Sequence, residues 1–90
     1  MIYWLESHAL VRLKIGVNRK QDVRAIYGEG QEFLHNNRCR VKTANLYEDK
    51  RSMLFVTQVP AELNASEMGT VLHGKLGKAA EDCDINVRVY

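Results

Sequence analysis

Polar and apolar residues alternate along Ala9–Val17. Val11, Leu13, Ile15 and Val17 share one parity, Arg12 and Lys14 the other. A period of two is that of a strand with one buried face. The apolar parity extends back through Leu5 and Tyr3. A single strand from Ile2 to Val17, at ~3.3 Å per residue, would overshoot a small domain. A break or bulge near Glu6–His8, or a protruding arm carrying Ile2, Tyr3 and Trp4, is therefore expected.

After Asn18 the period lengthens. Val23, Ile26, Tyr27, Gly30, Phe33 and Leu34 recur at three- and four-residue spacing, the stripe of an amphipathic helix. Asn18 is placed to cap it, with Gln21 at the capping-box position. Gly28 and Gly30 each cost about 1 kcal/mol relative to Ala inside a helix. Gly30 lies on the stripe, where close packing on a sheet would account for it. Asn36 and Asn37 mark a stop.

Alternation returns over Arg38–Leu46, with Cys39, Val41 and Thr43 on one parity and Arg38, Arg40 and Lys42 on the other. Glu48–Lys50 is a polar turn. Lys50–Val59 follows, with the four-residue apolar run Met53–Val56, and reads as a strand buried on both faces. It pairs with the preceding strand as a hairpin. Pro60 is expected to stop the pairing. Asn64 or Ser66 opens a second helix with Glu67 as box partner. Its stripe is Met68, Val71, Leu72, Lys75 or Leu76, and Ala79, and Gly77 is a plausible end. Ile85, Val87 and Val89 alternate with Asn86, Arg88 and Tyr90 in a last strand.

Strand, helix, strand, strand, helix, strand is the split β-α-β-β-α-β, ferredoxin-like order. The expected class is α+β, a four-stranded antiparallel sheet with two helices on one face and the first and third strands central. The chain of 90 residues reads as a single domain. Its 46% apolar and 27% charged residues are ordinary for a soluble globular protein. Met53–Val56 is far short of the ~20 residues that cross a bilayer, so no membrane association is expected. No basic segment precedes the apolar Met1–Leu5 and no long apolar run follows, so no secretory leader is expected. Cys39 and Cys83 lack metal-site or disulfide-framework spacing and read as reduced thiols of a cytoplasmic protein.

Two helices cover one face of such a sheet and leave the other open. By parity the open face carries Arg12, Lys14, Arg40, Lys42, Arg88 and Tyr90. Its centre depends on which parity of the Met53–Thr57 run faces the helices. Either choice leaves large apolar side chains among cations, each forgoing ~1.5–3 kcal/mol of burial. An apolar centre with a charged rim points to a contact surface; the plainer reading is a solvated basic face with a few tolerated apolar residues. The net charge of +2 is a weak bias, so a nucleic-acid reading rests on where the charges sit.

One reading is single-stranded nucleic acid, with bases stacked on aromatic rings and cations along the phosphates. Arg51–Gln58 is loosely similar to the central-strand motif of RNA-recognition domains. Arg51, Phe55 and Val56 match it; Ser52, Met53, Leu54 and Gln58 do not, and Ala9–Val17 offers no aromatic for the partner motif. The candidate nucleic-acid contacts are Arg12, Lys14, Arg40, Lys42, Phe55, Arg88 and Tyr90. The other reading is a regulatory or inhibitory homodimer whose faces bury each other, with Trp4 and Leu54 as interface anchors.

Catalysis finds little support. His8, His35 and His73 fall in separate elements without metal-ligand spacing. Neither a G-x-S-x-G elbow nor a phosphate-binding loop is present. Acylphosphatases carry a Gly-rich anion loop with an Arg after the first strand; Gly16-Val17-Asn18-Arg19 offers only Gly16 and Arg19. Cas2-like nucleases place a metal-binding Asp where this chain has Gly16–Asn18. Metal-dependent nuclease chemistry is thereby disfavoured. Metal-independent RNA cleavage stays open, since Arg, His and Lys suffice for it. No cofactor or metal is implied.

Overall fold

The computed structural model describes residues 8–60 and 62–89. Strand β1, His8–Val17, leads through a short 3₁₀ turn, Lys20–Asp22, into helix α1, Val23–Asn36. Strand β2, Arg40–Tyr47, and strand β3, Ser52–Pro60, form a hairpin around a second 3₁₀ turn, Glu48–Lys50. Helix α2, Ala65–Leu76, ends in a third, Gly77–Ala79, before strand β4, Ala80–Val89. All neighbouring strands run antiparallel in the order β2-β3-β1-β4, so β3 and β1 are central. This is the ferredoxin-like α+β fold read from the element order. No helix among the described residues is long and apolar enough to cross a membrane.

The core lies between the helices and one face of the sheet. Val11, Leu13, Ile15 and Val17 of β1 and Met53, Phe55 and Val59 of β3 are buried there. Val23, Ile26, Phe33 and Leu34 of α1 and Met68, Leu72 and Leu76 of α2 close over them. Gly30 belongs to the α1 stripe because α1 sits directly on β3. A Cβ at Gly30 would lie 3.0 Å from Phe55 Cε2. The Tyr27 ring stacks on Phe55 beside it, with centroids 5.4 Å apart and an interplanar angle of 19°.

Several boundaries differ from the sequence reading. Asn18 does not cap α1. Its amide donates to the Lys78 carbonyl and its backbone N–H to that of Ala79, 3.0 Å away, tying the end of β1 to the turn before β4. The helix starts later, behind Asp22. At α2 the expected cap holds: Asn64 Oδ1 accepts from the Glu67 N–H at 3.1 Å. Gly77 follows at φ 64°, a conformation open to glycine. Pro60 stands opposite His8 as the last residue of β3, so the described pairing ends at the proline as expected. Val71 is not on the α2 stripe. It is 59% exposed, and Ala65 and Gly69 take the buried positions instead.

Candidate functional site

The centre of the open face is set by β3. Met53, Phe55, Thr57 and Val59 point into the core, each fully buried, so Leu54, Val56 and Gln58 face outward and are half-buried. The register aligns their neighbours. Leu54 stands between Asn45 of β2 and Lys14 of β1, which in turn faces Asp84 of β4. Val56 stands between Thr43 and Arg12, beyond which lies Asn86. Gln58 stands between Arg40 and Leu10, beyond which lies Arg88. At the other end Ser52 stands between Tyr47 and Gly16, with Asp82 beyond.

This arrangement brings together most of the residues picked from the sequence. Arg12, Lys14 and Arg40 are exposed on the open face, around an aliphatic patch of Leu10, Leu54 and Val56. Arg12 and Lys14 alternate on one strand, so they sit about 6.8 Å apart along it. Leu54 is where a face-to-face interface would need it. Arg88 falls in the open-face register. Trp4 and Tyr90 lie outside the described residues.

Phe55 is the correction. It faces the helices with no exposed surface, against Gly30 and Tyr27, and cannot receive a base. Apolar residues occupy both parities of Met53–Val56, and the inward parity is the one that sets the Phe55 ring beneath Gly30. A second correction concerns β2. The register shifts between Val41 and Thr43, leaving Lys42 as the extra residue of a bulge. Thr43 thereby moves to the open face, and Ala44 and Leu46 turn to the core. The buried Thr57 hydroxyl donates to the Arg40 carbonyl at 2.9 Å, holding β2 beside the interruption. Lys42 is exposed at the bulge rather than in a regular row of cations.

Three groups on this face were not anticipated. Leu10 completes the aliphatic patch. Asp82 and Asp84 bring negative charge to one corner, and the alternation of Asn86 and Arg88 continued backwards would have located them. Tyr47, 43% exposed, reaches the open-face parity only because of the bulge, which leaves no local signature in the sequence. Asp82 Oδ1 also accepts from the Gly16 N–H at 3.1 Å. A Cβ at Gly16 would lie 2.8 Å from that same oxygen, so glycine there permits the contact.

Around the rim, charges pair. Arg24 Nε donates to Glu48 at 2.8 Å and its Nη2 to the second carboxylate oxygen at 3.2 Å. That hydrogen bond holds the Glu48 carboxyl below its ordinary range, with Lys20 adding to the pull against partial burial. Arg51, in a left-handed turn at φ 51°, donates to the Asn18 carbonyl at 2.8 Å. Arg19 bridges to Asp22 at 3.5 Å, so the segment after β1 makes a local ion pair rather than an anion cradle. Among the described residues no cluster of three or more His, Cys, Asp or Glu side chains is placed to hold a metal ion. His35 and His73 are exposed on different helices.

The described residues define a ferredoxin-like domain in which no helix covers the second face of the sheet. No family model matches the chain, and no curated protein matches it.

Proposed function

We propose that this is a small regulatory binding domain that works through its open sheet face, with single-stranded nucleic acid as ligand. The observation that carries the reading is the placement of exposed Arg12, Lys14 and Arg40 around half-buried Leu10, Leu54 and Val56. Lys42, Arg88 and Tyr90 extend the proposed contacts. With Phe55 in the core, the centre of the face offers no stacking platform. Affinity then rests on phosphate contacts, with aliphatic side chains under sugars and bases and Tyr47 available at one corner. Such binding is tolerant of sequence and steeply dependent on salt. A cytoplasmic setting, where Cys39 and Cys83 stay reduced, fits this reading.

Fluorescence anisotropy with labelled single strands over a salt series tests it. Arg12→Ala, Lys14→Ala, Arg40→Ala and Lys42→Ala should each weaken binding and flatten the salt slope by roughly one unit per lost phosphate contact. No binding of any single-stranded RNA or DNA at low salt would overturn the reading.

The aliphatic centre favours a second reading, a face-to-face dimer anchored by Leu54. Arg12 and Lys14 of two copies repel there unless the Asp82–Asp84 corner of the other copy is rotated onto them. Leu54→Asp should then convert a dimer to a monomer in light scattering.

A further inference from the structure

The two edges of the sheet are built differently. The outer edge of β2 is interrupted by the bulge between Val41 and Thr43 and carries exposed Arg40 and Lys42. Bulges and cations at an edge discourage further pairing. The outer edge of β4 has no bulge from Asp82 to Val89, and Arg88 is its one cation. From Asp82 to Val89 its register with β1 is unbroken, and the only shift lies beyond, between Gly16 and Val17. At ~3.4 Å per residue this is about 27 Å of regular strand. Among the described residues no strand pairs with that edge. Roughly half of its N–H and C=O groups point away from β1, as the antiparallel pattern requires.

Helix α2 adds an independent feature on the same side. It lies over β4 so closely that a Cβ at Gly69 would come within 2.6 Å of Ile85 Cδ1. Ser66, Gly69, Thr70, His73, Gly74 and Gly77 form one helical face, which with Cys83 lines a groove of about 440 Å³. No residue of α1 lines it. Small residues along that face allow a second helix to approach closely.

We propose that the occupant of this edge is a second copy of the chain, pairing β4 with β4 antiparallel about a two-fold axis normal to the sheet. The two sheets then become one of eight strands, with all four helices on one side and both open faces on the other. Charge selects this partner. Glu81, Asp82 and Asp84 crowd the first half of β4, and residue 88 in the second half is an arginine. Antiparallel pairing sends the two acidic halves to opposite ends. Centred on Ile85 it sets Asp82 opposite Arg88 of the other copy; centred on Asn86 it sets Asp84 there. On the helix side, half-buried Ile85 faces Ile85 of the other copy in the first register and Val87, which is 37% exposed, in the second. This dimer does not depend on what the open face binds.

Light scattering and sedimentation across a concentration series should give twice the chain mass for the wild type. Arg88→Asp should raise the dimer Kd tenfold or more, and Asp82→Lys/Asp84→Lys should do the same. Mixing the two variants should restore a one-to-one dimer, because each supplies the charges the other lacks. Leu54→Asp should leave the dimer intact, which separates it from a face-to-face pairing. Hydrogen exchange on the wild type gives a readout free of mutation: amides within Asp82–Val89 should gain protection as concentration rises. A monomer at every concentration overturns the proposal. So does a dimer that ignores the β4 charges, one that the variant mixture fails to restore, or one lost with Leu54→Asp.

Discussion

Phe55 and Gly30 meet at the tightest point between α1 and the sheet, and their contact decides what the opposite face can be. Replacing Phe55 by Ala removes a fully buried ring and should cost about 3–5 kcal/mol, a large share of a small domain's stability. Gly30→Val drives a branched side chain into that ring and should cost about 1–3 kcal/mol. Gly28, two residues away, has open space where a Cβ would go, so Gly28→Ala should stabilise by about 1 kcal/mol. Urea titrations of the three variants test these opposite signs. The Arg24–Glu48 pair predicts a pH effect. Because the folded carboxyl titrates below its unfolded value of about 4.3, its stabilisation is present above that pH. It fades as pH falls through the lower folded value. NMR titration should place the Glu48 midpoint below the ordinary glutamate value, and Arg24→Ala should return it to that range.

Helix ends and strand breaks follow a different logic from the stripes between them. Asn64 caps α2 through one hydrogen bond to the Glu67 N–H, and Asn64→Ala should lower stability by about 1 kcal/mol in thermal or urea melts. Asn18 has the same side chain and a similar downstream pattern, yet bonds to Lys78 and Ala79 across the end of the sheet. A capping pattern records local options; here a non-local partner 60 residues away took the side chain. The bulge at Lys42 is similar. Alternation over Arg38–Leu46 is legible, but the extra residue that flips its second half becomes defined only when β2 must match β3.

Strand order carries consequences that reach across the fold. With β2 and β4 on opposite edges, three strand spacings, about 14 Å, already separate Cys39 and Cys83 laterally, beyond the roughly 7 Å a disulfide spans, and the register sets them at opposite ends of the sheet as well. Both are free thiols. Burial pushes the Cys83 thiol up to about 11, with Asp82 and Asp84 adding to the shift, and burial also raises Cys39. A disulfide-exchange reagent at pH 8 should therefore label both slowly in the folded protein and quickly in denaturant, with no non-reducing crosslink within the chain. An intrachain bridge under native conditions would contradict the β2-β3-β1-β4 order.

Periodicity alone determined that the chain forms four strands and two helices in a split order, and that β1 turns Arg12 and Lys14 away from its core. Those features depend on neighbours in sequence, and a repeat of two or of three to four residues encodes them directly. Which parity of β3 lies under the helices was decided only in three dimensions. Met53 and Phe55 are no more apolar as a pair than Leu54 and Val56; in the fold the inner pair is the one whose ring fits where Gly30 lacks a Cβ. The displaced Thr43 and Tyr47, and the contrast between a blunted β2 edge and an open β4 edge, arise likewise from register, a relation between distant segments that no single stretch of the chain contains.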